Sequence, residues 1–377
     1  MRRSAGLTPA LAAILLLSTN GLASGDGLLV RGGTVWTISG DTLEGADVLV
    51  LDGRIAAVGP QLSAPDGART IEANGKHVCP GFVDAHSHLG LARAERDEEV
   101  APGATDTLVL DAFWAGRKDI RRAASSGVTT ILLAPGYTNP IGGRCSAVKL
   151  GPGRVLKRDA AVKLVLAESA LMRDRKPTSM PGLLDMLRQE LSAAARAEGE
   201  GELLADAVRG EMPVQMFCDG VASTERAAKL ANEFGLRASV MAPDAAHKLP
   251  RILEGTGLSV ICLPLSTTPT EKLLSAPARL AESGLKLAFA SLAPLSDTGD
   301  LRSSAAFAVA AGLDEGAALR ALTLDAAELI GVADRVGSIE VGKDGDLVVT
   351  AGEPLDVTRP VELVVVDGEI VYEREAR

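Results

Sequence analysis

The sequence predicts an α/β protein: a (β/α)8 TIM-like barrel joined to a small β-sheet domain formed by both ends of the chain. Three observations carry this expectation. Eight short runs rich in Val, Ile, Leu and Ala alternate with amphipathic helical stretches, the pattern of a parallel sheet covered on its outside. Segments of short strands and tight turns, each with an Asp-Gly between apolar runs, stand at both chain ends. The 377 residues are also enough to bury one large barrel core.

In chain order, Met1 to about Ser24 reads as a secretory signal peptide, because Arg2 and Arg3 precede the apolar run Ala10 to Leu17 and small residues follow at Gly21-Leu22-Ala23-Ser24. The apolar run is far shorter than the roughly 20 residues a bilayer needs. The expectation is therefore an exported protein, periplasmic or extracellular once the peptide is removed. Residues 25–78 read as the first part of the β domain, with strands at Leu28 to Val30, Thr34 to Ile38, Asp47 to Leu51 and Arg54 to Val58, the last pair turning on Asp52-Gly53. Residues 79–332 read as the barrel, with strands at Phe82 to His86, Val128 to Ala134, Ser146 to Leu150, Val162 to Ala167, Val214 to Cys218, Ala238 to Ala242, Leu258 to Leu263 and Leu285 to Ala290. Helices such as Thr224 to Phe234 and Leu273 to Ser283 separate them, and two charged inserts, about Leu91 to Thr107 and Met172 to Pro213, fall over or beside the face where such a barrel works. Residues 333–377 return to the β domain with Asp346 to Thr350, Val361 to Val366, the turn Asp367-Gly368, and Glu369 to Tyr372.

Composition excludes several classes. The 39 Lys and Arg against 49 Asp and Glu leave a net charge of −10, and aromatic residues make up 3% of the chain. Such a chain lacks the basic stripe and the stacking platforms that nucleic acid needs. No later stretch is apolar enough to span a membrane. Cys79, Cys145, Cys218 and Cys262 are scattered without a Cys-x-x-Cys pair, so zinc-ribbon and thioredoxin chemistry are not expected, and Cys218 and Cys262 read as small core residues. No Gly-x-Ser-x-Gly elbow is present.

The chemistry concentrates in Pro80-Gly81-Phe82-Val83-Asp84-Ala85-His86-Ser87-His88. Residues i and i+2 of a strand point the same way, so His86 and His88 aim together into the barrel, where two imidazoles can bind one metal ion. Asp84 shares their parity and is placed to orient an imidazole. The loop Tyr137-Thr138-Asn139-Pro140-Ile141-Gly142-Gly143 follows the second strand on the same face, its glycines fitting either a ligand approach or a plain turn.

With these segments the chain resembles the amidohydrolase superfamily, near its imidazolonepropionase-like branch. Further matching pieces are Gly127-Val128-Thr129-Thr130, Ala326-Ala327-Glu328-Leu329-Ile330-Gly331 and Gly337 to Val348. The resemblance implies hydrolysis of the C–N bond of a small amide or cyclic amide. It also implies metal ligands at the first-strand His pair, at a mid-barrel carboxylate or carboxylated Lys, at a His after each of strands five and six, and at an Asp after strand eight. His86 and His88 match, and Glu168 stands for the mid-barrel carboxylate. The other three positions fall on Phe217, Ala242 and Leu292. Asp219, Asp244 and Asp297 lie close enough in sequence to act as substitute carboxylates, whereas His77 and His247 read as surface residues. The expectation is one divalent ion at most, zinc before others. The alternative is an inactive relative that binds a ligand or pairs, as a homo- or hetero-oligomer, with an active one.

Overall fold

The computed structural model describes residues 27–151, 153–197, 201–242, 246–266 and 270–375. The segment read as a signal peptide, and Asp244, lie outside the described residues.

The chain ends build one sheet. The strands are β1 (Gly27–Trp36), β2 (Thr42–Leu51), β3 (Arg54–Gly59), β4 (Arg69–Glu72) and β5 (His77–Pro80) from the N-terminal side, with β14 (Leu347–Thr350), β15 (Val361–Val366) and β16 (Glu369–Glu373) from the C-terminal side. Their order is β16-β15-β14-β5-β1-β2-β3, with β4 paired to β1. Alternation supplies the reason: Leu28, Val30, Val48, Val50, Val349 and Val365 face one apolar cluster, while Val348 and Val364 on the other face pack into the larger core. His77 belongs to this sheet, where Trp36 Nε1 donates to its Nδ1 at 3.0 Å.

The second sheet is the nearly closed barrel. It runs β6 (Phe82–Ser87), β7 (Val128–Leu133), β8 (Ile141–Lys149), β9 (Val155–Leu166), β10 (Val214–Cys218), β11 (Ala238–Met241), β12 (Ser259–Cys262) and β13 (Leu287–Phe289). His88 N donates to Ala293 O at 2.8 Å where the two ends of the sheet meet. One strand departs from the parallel expectation: β8 is antiparallel to both β7 and β9. A parallel return needs a crossover of a dozen or more residues. Only Ala134 to Pro140 separates β7 from β8, and the turn after Lys149 closes with Lys149 N donating to Arg154 O at 2.8 Å.

Helices cover the outside. They are α1 (Lys118–Ser125), α2 (Met180–Ala194), α3 (Leu203–Val208), α4 (Val221–Phe234), α5 (Leu249–Leu253), α6 (Glu271–Leu274), α7 (Ala276–Glu282), α8 (Gly299–Ala310), α9 (Glu315–Leu322) and α10 (Leu324–Leu329). The apolar stripe of α2, Leu183, Leu187 and Leu191, packs into the same core as Leu230 of α4 and Val214 of β10. Small residues on or just past β6, β8, β9 and β13, among them Ala85, Ala147, Ala161, Ala288 and Ala290, form a separate cluster that Ala326 and Ala327 of α10 and the following Ile330 cover. No described helix is long and apolar enough to cross a membrane. All four cysteines are buried and free.

A buried ion cluster joins barrel to sheet. Lys149, at the end of β8, contacts Asp344 at 2.6 Å, Asp346 at 3.0 Å and Asp367. Arg335 adds a two-pronged pair to Asp344 at 2.8 and 2.9 Å.

Candidate functional site

Inside the barrel, β6 delivers His86 and His88 with their rings 5.1 Å apart and nearly perpendicular, both fully buried. Each ring is held by its Nδ1. His88 Nδ1 lies 2.8 Å from Ala134 O, a carbonyl that can only accept, so Nδ1 carries the proton. His86 Nδ1 lies 2.9 Å from Gln215 Oε1, and Gln215 Nε2 donates to Ala85 O at 2.8 Å, which fixes the amide and makes His86 Nδ1 a donor as well. Both Nε2 atoms are therefore unprotonated acceptors. His86 Nε2 faces Tyr137 Oη at 3.1 Å and Lys163 Nζ at 3.3 Å, while His88 Nε2 is buried with no partner among the described residues. Burial first, then the charge of Lys163, holds His88 down to about 3 and His86 well below the ordinary imidazole value, so both rings are neutral near pH 7.

Lys163 is the residue that the sequence reading passed over. It projects from the middle of β9 opposite Gln215 of β10, is fully buried, donates to Pro135 O at 2.7 Å and sits 3.5 Å above the Tyr137 ring. Burial lowers its ammonium to about 7, against weaker opposing effects of Cys145 and Asp97. Its signal was a single Lys inside the apolar run Val162 to Ala167, with inward parity. Gln215, the one polar residue in Val214–Cys218, carried a similar signal. Tyr137 enters from the loop read only for its glycines, and burial raises its phenol well above the ordinary value.

The predicted carboxylates do not join this group. Glu168 lies past the end of β9 on a short 3-10 turn, exposed, with its backbone N–H donated to Asp219 Oδ2 at 2.7 Å. Asp219 is exposed and also accepts from Ser223 Oγ at 2.7 Å. Asp297 is exposed and pairs with Arg122. Asp84 orients no imidazole. Its carboxylate accepts from Ser291 N at 2.9 Å, from Ser291 Oγ and from His86 N, and burial raises it to about 6 against those bonds. His247 is half-buried on a short turn before α5. Among the described residues no three His, Cys, Asp or Glu side chains lie together as a metal group. The set that does converge is two neutral imidazole nitrogens and one lysine amine, which fits one cation when Lys163 is uncharged.

The remaining walls are apolar where the resemblance implies ligands. Phe217 is half-buried against Tyr137, with ring centroids 4.4 Å apart. Phe217 and Leu292 both pack on the barrel's inner cluster, and Ala242 is buried. Arg96, in the first insert, has a buried Nε without a partner among the described residues, and its charge acts on both Tyr137 and His88.

Comparison with known proteins places this site in context. An amidohydrolase-family sequence model matches residues 201–372. The chain is 26% identical over 427 residues to an amidohydrolase of Hapsidospora irregularis, covering 92% of this chain but only 43% of that protein's length. It is 27% identical over 374 residues to the imidazolonepropionase of Caulobacter sp. (strain K31), covering 85% of this chain and 90% of the relative. A crystal structure of an amidohydrolase from Thermotoga maritima MSB8 superposes with a TM-score of 0.82 at 29% identity, over 92% of this chain and all of that one.

Proposed function

Because the chain belongs to the amidohydrolase superfamily, on its imidazolonepropionase-like branch, we propose that it hydrolyses the C–N bond of a small amide or cyclic amide at a centre taking one divalent ion on His86, His88 and Lys163. One observation carries the reading: both histidines give their Nδ1 protons to fixed carbonyl oxygens, leaving two buried Nε2 acceptors, one of them without a partner among the described residues. His86, His88 and Lys163 would hold the ion, zinc by the nitrogen-rich donor set, and its Lewis acidity would serve to polarise the scissile carbonyl and lower the pKa of water. Lys163 is the third donor, uncharged or carboxylated like the mid-barrel lysine of the family. Gln215 and the Ala134 carbonyl hold the rings, and the protonated Tyr137 hydroxyl is placed to donate to a substrate oxygen. Arg96, without an ion-pair partner among the described residues, attracts an anionic substituent. Phe217, Ala242 and Leu292 offer a second ion nothing.

In the overall reaction water adds to the carbonyl carbon, the C–N bond breaks, and a proton passes to the departing nitrogen. A panel of amides, cyclic amides and hydantoins tests the proposal. The expected result is turnover that falls by about 10²-fold or more in His88→Ala and in Lys163→Met. Turnover unchanged in His86→Ala/His88→Ala would sink it. A second reading, an inactive ligand-binding relative or partner of an active one, draws on the same three apolar replacements and on Lys163 Nζ lying against His86 Nε2, where an ammonium takes a cation's place. Full folding without metal or turnover is its signature.

A further inference from the structure

Beside the histidine site, the ends of β11, β12 and β13 enclose a cavity of about 250 Å3 with α5, α6 and α7 behind it. Its walls include Ala242, Ile261, Leu263, Leu273, Leu292 and Leu295, and no charged side chain lines it among the described residues. We propose that this cavity binds the uncharged apolar group of a small molecule, of about the size of a leucine side chain or a benzene ring.

Size and chemistry agree. A cavity of about 150 Å3 lined by aliphatic and aromatic side chains already accepts benzene. Several polar groups around this one are occupied by the protein itself. Cys262 O accepts from Ala290 N at 3.0 Å, Leu292 O from Leu295 N at 3.0 Å, and Leu265 N donates to Ser304 Oγ at 2.9 Å. Ser296 Oγ turns away onto Ser291 O. Burial pushes the Cys262 thiol up to about 12, so it carries no charge. A charged group would lose its hydration against these mostly apolar described walls, none of which carries a charged side chain, whereas each buried CH2 contributes about 0.8 kcal/mol.

The wall also contains a strained residue. Leu292 has φ +56, a left-handed conformation uncommon for a branched residue. The preceding Ser291 is held by the buried Asp84 carboxylate, two residues before His86 on β6. One buried contact thus fixes the cavity wall and the histidine strand together, placing the cavity beside the proposed centre. At the rim Leu295 is 63% exposed, an apolar side chain at the entrance.

Identifying the molecule as the substrate rests on the proposed hydrolysis; occupancy of the cavity does not. The test is therefore binding, read by ligand-observed NMR on the full chain with 4-methylpentanamide and with acetamide, which shares the amide but lacks the isobutyl group. The expected result is at least about tenfold tighter binding of the longer amide. That preference should collapse in Ala242→Phe, which fills the cavity, and in Leu295→Glu, whose exposed position spares the fold. It should persist in His86→Ala/His88→Ala. Equal binding of the two amides, or a preference untouched in Leu295→Glu and folded Ala242→Phe, would overturn the proposal. Loss of turnover in the histidine variant with the preference intact separates the two sites.

Discussion

Gln215 decides which nitrogen of His86 faces the barrel interior. Its Nε2 is committed to Ala85 O, so its Oε1 can only accept, and His86 must donate from Nδ1. Gln215→Leu removes that constraint and leaves Ala85 O short of a donor. Metal affinity, read by competition with a chromogenic chelator, should fall about 10- to 100-fold while the fold persists. An unchanged affinity would mean that Gln215 does not set the tautomer. At this scale the histidine pair was legible because a His-x-His at a strand end is rare and its parity is simple. Lys163 was not, since a lone lysine in an apolar strand has no motif. Glu168 matches a mid-barrel carboxylate by residue type alone, but five positions beyond Lys163 the strand has ended and the side chain turns to solvent.

Among the elements, β6 is placed by Gly81, which joins β5 of one sheet to the first strand of the other. Gly81 N donates to Asp346 O at 3.0 Å, and a Cβ on Gly81 would lie 2.0 Å from Thr129 Oγ1 and 2.6 Å from Thr129 Cβ. Gly81→Ala must therefore push β6 away from β7. The expected cost is about 1–3 kcal/mol in chemical denaturation, with weaker metal binding because both histidines move with the strand. A variant as stable as the parent would show that the contact relaxes freely. Apolar periodicity found the strands of the barrel, and Asp-Gly turns found the hairpins of the terminal sheet. The direction of β8 was not legible, because an apolar run reads alike in either direction and only the short connections on each side exclude a crossover.

For the whole molecule, the Lys149 cluster ties barrel to terminal sheet, and its members are far apart in sequence, so no local pattern announced it. Burial works against Lys149's charge, but Asp346, Asp344 and Asp367 outweigh it and raise Lys149 above the ordinary lysine value. Asp344 is likewise opposed by burial, yet Arg335 and Lys149 hold it below the ordinary carboxylate value. The raised lysine stabilises fully below its unfolded value of 10.5 and loses that contribution as pH rises through its higher folded value. The lowered aspartate stabilises above 3.8 and loses its contribution as pH falls. Asp346, raised by burial, opposes the acid limb, so the alkaline limb is the cleaner reporter. Lys149→Met should cost about 3–5 kcal/mol by stranding buried carboxylates and should remove the alkaline loss, both read from denaturant midpoints across pH. The most direct test of the proposed centre is elemental analysis of the protein purified without chelators, beside His86→Ala/His88→Ala. About one equivalent of zinc or another divalent ion, absent from the double variant, is the predicted result; a folded parent protein with no metal, or metal retained without both histidines, would contradict it.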